Sequence, residues 1–200
     1  MRSSLLALLL AAVSPSLAIA QDGDWTGAYV GAHLGFGAFD KGDNSVCTTV
    51  CVAAVNEAPD AIETYGAFGG YLVDLGAYVI GAELDYGPIQ IGLVDLNGGA
   101  KTSPSDGIDG TMTRAKLIAG YDAGSILPYA TIGLGQLSID GGGNTDATIL
   151  GLGAVYRISD SLRVGAEVLH HDFDTPVGPA LAGTPLSQAT TVSLRVSFAF

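Results

Sequence analysis

Two pairs of like charges, each separated by one residue, carry the clearest chemistry in this chain: Glu83 with Asp85, and Arg114 with Lys116. An i, i+2 spacing puts both members of a pair on the same face of a β-strand. Two carboxylates that meet two cations from a neighbouring strand form either a space-filling salt-bridge network or a charged gate that opens when pairs exchange. Arg163, Glu167 and Arg195 repeat the theme further along, each flanked by apolar residues. These seven residues are the candidate site. Cys47 and Cys51 form a second motif. Their C-x-x-x-C spacing is not that of a redox pair, and two thiolates are too few for a structural zinc site. The segment Asp140-Gly-Gly-Gly-Asn-Thr-Asp146 faintly resembles a calcium loop, but its carboxylate spacing matches none and its residues are turn formers first. No metal and no cofactor is expected.

The elements that must position these charges follow from composition. The chain has 200 residues, 48% hydrophobic and only 14% charged, with 29 glycines and a formal charge of -12; its mean hydropathy is +0.40. A disordered acidic chain would be poor in apolar residues. Eight cations against 20 acids argue against a nucleic-acid partner. So apolar a chain with so few charges reads as a membrane protein. Its first residues have the form of a secretory signal peptide: Met1-Arg2, an apolar run over Leu5–Val13, and Ala18-Ile19-Ala20 as a cleavage site. Residues 1-20 are expected to be removed, leaving 21-200 as one domain. In such an exported chain Cys47 and Cys51 are expected to be oxidised to a local disulfide. No later apolar run approaches the roughly 20 residues that a transmembrane helix needs. The remaining membrane solution is a closed β-barrel.

Period-2 alternation recurs along the chain. Apolar and small or polar residues alternate over Thr26–Phe39, Tyr78–Tyr86, Thr111–Tyr121, Pro128–Gln136, Thr148–Tyr156, Leu162–Val168 and Thr191–Phe200, and more weakly over Ile62–Val73. That predicts an all-β fold: an eight-stranded antiparallel transmembrane β-barrel with the apolar set facing lipid. The connections alternate between short (near residues 74–76, 122–125 and 159–160) and longer (40–61, 87–110, 139–146 and 174–187). Trp25, Tyr71, Tyr78, Tyr121, Tyr129, Tyr156, Phe198 and Phe200 are assigned to an aromatic girdle at the short-turn rim, and Phe36, Tyr65 and Tyr86 to the other. The alternation turns all seven candidate charges into the lumen. It also turns His33 inward, where Arg195 or Ser193 of the last strand would satisfy it.

Trp25-Thr26-Gly27-Ala28-Tyr29-Val30-Gly31 resembles the opening strand of small outer-membrane β-barrel proteins. Leu127-Pro128-Tyr129-Ala130, Leu162-Arg163-Val164-Gly165-Ala166-Glu167-Val168 and the closing Phe198-Ala199-Phe200 resemble the same group. Its members are opacity-like and porin-family surface proteins of Gram-negative bacteria, akin to the membrane domain of outer membrane protein A. The resemblance covers residues 25–200. It implies an outer-membrane location, contact with lipid and lipopolysaccharide, and a role for Phe200 in the signal read by the barrel-assembly machinery. Unlike outer membrane protein A, the chain has no peptidoglycan-binding domain after the barrel, so no cell-wall tether is expected.

Three functions remain to be compared. A structural and surface-interaction barrel, plugged by its salt bridges, would use its external loops to contact a host or cell-surface ligand. A small ion or solute channel is the alternative. The least favoured is a lipid A-modifying enzyme, in which His170 and Asp172 act with Ser187 or Thr190 on the barrel's outer face. The His-x-Ser pattern of outer-membrane lipid A deacylases is missing, since His171 is followed by Asp172 and Phe173. No catalytic residue is assigned.

Overall fold

The computed structural model describes residues 25–39, 57–95, 108–174 and 187–200. Its strands are β1 (Gly27–Phe39), β2 (Glu57–Asp74), β3 (Tyr78–Asp95), β4 (Ile108–Tyr121), β5 (Ile126–Ile139), β6 (Asn144–Arg157), β7 (Leu162–Phe173) and β8 (Gln188–Ala199). Each pairs antiparallel with its sequence neighbours, and β1 pairs with β8 to close the barrel. Closure leaves no edge strand, so the ladder takes up the backbone polar groups that lipid could not satisfy. Residues 1–20, Cys47 and Cys51 lie outside the described residues.

The tight turns at residues 75–77, 122–125 and 158–161 share one end, the periplasmic end by the usual asymmetry of such barrels. Gly76 and Gly124 adopt φ of 97° and 79°, a left-handed backbone that favours glycine. Across the middle of the wall the alternation holds as expected. Leu84, Leu117, Leu134, Leu152 and Leu194 all face outward and are exposed.

The strands run further outward than the alternation predicts. β3 extends to Asp95 instead of Tyr86, β5 to Ile139 instead of Gln136, and β7 to Phe173 instead of Val168. β2, β4, β6 and β8 begin three to five residues earlier than expected. The expected 139–146 loop is therefore a short turn over Asp140–Gly143, and Asp146 belongs to β6, where Gln136 Nε2 donates to its Oδ1 at 2.9 Å. The reason is an inversion of pattern. Above Phe36, Tyr65 and Tyr86 the outward positions become polar (Glu63, Gln90, Asp109, Gln136, Asp146, Asp172). The inward ones become apolar (Ile62, Ile89, Ile91, Met112, Leu137, Ile149). There the barrel leaves the lipid and is built like a soluble protein, wet outside and apolar inside.

Side chains fill the interior in layers. A cluster containing Phe39, Ile91, Met112, Leu137, Ile149 and Phe173 occupies the outer end. Another, containing Trp25, Phe68, Leu72, Val79, Leu127 and Tyr129, occupies the periplasmic end. Inward glycines make room for the large groups. A Cβ at Gly70 would lie 2.6 Å from the Tyr29 hydroxyl, and one at Gly66 2.8 Å from His33 Nε2. Gly153 sits in the same way beneath the Tyr129 ring, and Gly31 beneath Phe68.

Candidate functional site: the charged belt of the lumen

Between the two apolar layers lies a belt of buried charge. Strand register sets its first contacts: on β3 and β4, Glu83 stands opposite Lys116 and Asp85 opposite Arg114. Arg114 donates to Asp85 Oδ1 from both Nε (3.0 Å) and a terminal nitrogen (2.7 Å). Lys116 Nζ lies 2.8 Å from Glu83 Oε1 and 2.8 Å from Glu167 Oε2 on β7. Arg195 on β8 pairs with Glu83 Oε2 and lies 3.1 Å from Glu167 Oε1.

Glu83, Lys116, Glu167 and Arg195 thus form a closed ring of alternating charge that spans the lumen. Two tyrosines complete it. Tyr29 donates to Glu83 Oε2 at 2.8 Å. Tyr129 donates to Glu167 Oε1 at 3.2 Å and accepts from Arg195 at 2.9 Å. The Arg195 guanidinium carbon also sits 3.9 Å from the centre of the Phe68 ring, a cation–π contact with the layer below. All six charged members, including Asp85 and Arg114, are at most 5% exposed. Three carboxylates balance three fixed cations, which is the condition for holding charge in a narrow, largely dry interior.

The predicted residues and the observed belt differ in several places. Six of the seven lie together in the belt, with ion pairs between the neighbours β3 and β4 and between β7 and β8. The bridges across the lumen, from β4 to β7 and from β8 to β3, join those two halves. Arg163 faces inward as predicted but is not a member of the belt. It lies four residues before Glu167, about 13 Å down the strand, with its guanidinium carbon 5.0 Å from the Trp25 ring centre. His33 stands opposite Arg195 in the ladder, but its ring does not turn to β8 as expected. Its Nε2 lies 3.2 Å from Asp85 Oδ2 and 3.3 Å from Arg114.

Trp25 and Tyr129 are not girdle residues. They are 0% and 6% exposed and belong to the lumen. Sequence reasoning missed the hydroxyls of Tyr29 and Tyr129 as belt members. The available signal was their parity, since both fall on the inward set of their strands. Phe200 carries an exposed ring, packed edge-on against Phe198 at 5.3 Å, and its backbone N–H donates to Ala28 O at 2.9 Å.

Among the described residues, the cavities that flank the belt are small. The cavity beneath the belt measures about 30 Å³, and the one above it, between Arg114, His171 and the outer apolar layer, about 10 Å³. A water needs on the order of 10–15 Å³ by this measure, so each holds a very few waters at most.

On the outer surface, His170 Nδ1 lies 3.2 Å from Thr190 Oγ1. Thr190 is paired on both sides, with His170 of β7 and Ala38 of β1. Ser187 precedes β8, and its carbonyl accepts from the Phe173 N–H at 2.6 Å.

The sequence pattern of the family described as outer membrane protein beta-barrel domain matches residues 3–200. Among solved structures, the fold is similar to that of Neisserial surface protein A, at 13% identity and a TM-score of 0.50 over 88% of this chain and 98% of that one. It is also similar to the outer membrane protein OprG from Pseudomonas aeruginosa, at 13% identity and a TM-score of 0.45 over 90% of this chain and 97% of that one. A further similar structure is Ail, the attachment invasion locus protein of Yersinia pestis, crystallised with the heparin analogue sucrose octasulfate. There the identity is 12% and the TM-score 0.44, over 87% of this chain and 99% of that one. At these identities the likeness concerns the fold alone. No curated protein matches the chain.

Proposed function

The chain belongs to the outer membrane protein β-barrel family, and from that membership we propose that it is a closed, non-conducting barrel of the Gram-negative outer membrane whose external loops are its working surface. The observation that carries this reading is the filled lumen. Among the described residues, a charge-balanced belt is stacked between two apolar layers, and the lumen cavities beneath and above it measure about 30 and 10 Å³. An ion that entered would have to strip its hydration shell and break buried pairs at once. The barrel then acts as a scaffold, with the chain between β1 and β2, β3 and β4, and β7 and β8 contacting a host or cell-surface ligand. Its wall meets lipid and lipopolysaccharide, and Phe200 at the end of the β8 segment suits the role of assembly signal.

This reading assigns no enzymatic step. Although Thr190 meets His170, its strand is paired on both sides, so the ladder takes up the backbone N–H groups that an oxyanion hole would need. The test is single-channel recording of the refolded chain in a planar bilayer, with folding checked by its heat-dependent gel shift. We expect a folded protein without steady openings. Reproducible openings in the unmodified chain would overturn the reading in favour of a channel.

A further inference from the structure

We infer that Trp25 is a cork in the periplasmic mouth, a seal separate from the charged belt and in series with it. The inference rests on the closed-barrel reading and extends it. Trp25 precedes β1 at the very end of the barrel, where an exposed or lipid-facing indole would be ordinary. It is instead 0% exposed.

Each of the three periplasmic turns contributes to holding it. From the β2–β3 turn, Asp74 Oδ2 accepts the Trp25 backbone N–H at 3.0 Å. From the β4–β5 turn, Asp122 Oδ1 accepts the indole N–H at 3.1 Å. Both aspartates also cap their own Asp-x-Gly turns, accepting from Gly76 N and Gly124 N at 2.8 Å each. At the β6–β7 turn, Arg157 and Arg163 stand opposite each other at the base. Their guanidinium carbons lie 4.2 and 5.0 Å from the centre of the indole. One carboxylate on the backbone N–H, one on the indole N–H and two guanidiniums near the ring thus hold Trp25 across the mouth, with Phe68, Leu72 and Leu127 behind it. The ladder hydrogen bonds need none of this, so the arrangement has a role beyond strand pairing.

The consequence is mechanical. Loosening the belt hydrates the middle of the lumen but leaves no continuous wet path, because the indole and its apolar layer still stand between the belt and the periplasm. Opening requires both seals to yield.

Trp25 is the only tryptophan in the chain, so its emission reports on the cork alone. In vesicles of brominated phosphatidylcholine its emission is expected to escape quenching by the acyl chains. A Trp25→Phe/Leu194→Trp variant, with the indole on the lipid face, supplies the quenched control. Quenching of Trp25 equal to that control would put the indole in the girdle and overturn the proposal. Asp74→Ala/Asp122→Ala should raise acrylamide quenching of Trp25 while keeping the gel shift; unchanged quenching would count against the clamp.

The series arrangement is tested by conductance. Glu83→Ala/Arg195→Ala removes one opposite pair from the belt and is expected to stay silent, as is Trp25→Ala. The triple variant is expected to open. Openings in the belt variant equal to those of the triple variant would show that Trp25 seals nothing, and a folded but silent triple variant would overturn the two-seal account. If the alanine set fails the gel-shift test, Glu83→Gln/Arg195→Gln, which keeps more of the side-chain bulk than alanine, replaces it. Conduction by the unmodified chain would refute the closed-barrel reading itself, an outcome distinct from any of these.

Discussion

At the residue scale, Lys116 is the hinge of the belt's energetics. With Arg195 it is one of two cations shared by Glu83 and Glu167, and it lies 2.8 Å from each. Its removal leaves two buried carboxylates with Arg195 as their common partner. Breaking a buried pair costs about 3–5 kcal/mol, because the surviving charge loses compensation without regaining water. Lys116→Ala is therefore expected to lower stability by that order in urea unfolding from detergent or vesicles. A loss below about 1 kcal/mol, the value of a solvent-exposed pair, would mean that the belt is wet. The inward direction of each charge was legible in the sequence, since parity along a strand is a local property. The choice of partner was not. His33 shows why: its ladder neighbour is Arg195, but the glycine at position 66 leaves the ring room to turn toward Asp85 and Arg114. Trp25 shows the complementary error. An aromatic at a strand end suits a girdle by type, and only the turns that reach around it place it inside.

At the scale of elements, β8 displays the rule of the wall most plainly. Val192, Leu194, Val196 and Phe198 are about half or more exposed, while Thr191, Ser193, Arg195 and Ser197 are buried. Because lipid-facing and lumen-facing positions alternate, Leu194→Arg puts a charge into hydrocarbon near the middle of the apolar band. The expected cost is about 2–4 kcal/mol, falling toward zero at the interfaces. Unfolding from vesicles checks it, with Gln188→Arg above the band as the near-neutral comparison; equal costs at both positions would contradict the assigned depth. The strand count and the outward set within the lipid were readable because they rest on side-chain period alone. The strand ends were misjudged because the apolar face changes sides as the barrel leaves the membrane. Gln90 and Ile91 on β3, or Gln136 and Leu137 on β5, continue the alternation with its polarity reversed. A reading that follows outward apolar residues stops where that reversal begins.

At the scale of the whole molecule, the barrel has two unlike ends. One is closed by three short turns gathered on Trp25; the other rises above the lipid on an apolar core. Orientation follows: with Cys47 and Cys51 replaced by serine, Asp140→Cys in the β5–β6 turn should react with a membrane-impermeant maleimide on intact cells. Ser159→Cys in the β6–β7 turn should react only after the outer membrane is permeabilised. The reverse pattern would invert the barrel and exchange the surfaces assigned to ligand and periplasm.

The sequence by itself determined the class of molecule, the number of strands and the outward-facing set within the lipid. Those depend on composition and on a two-residue period, which act over a few neighbours. Only the tertiary structure decided that the lumen is layered rather than polar throughout, that Arg163 belongs with Trp25 and not with the belt, and that Arg195 meets Glu83. Arg195 and Glu83 are 112 residues apart in the chain. They meet because closure of β8 onto β1 brings β3 and β8 across the narrow interior, and no local pattern encodes that distance.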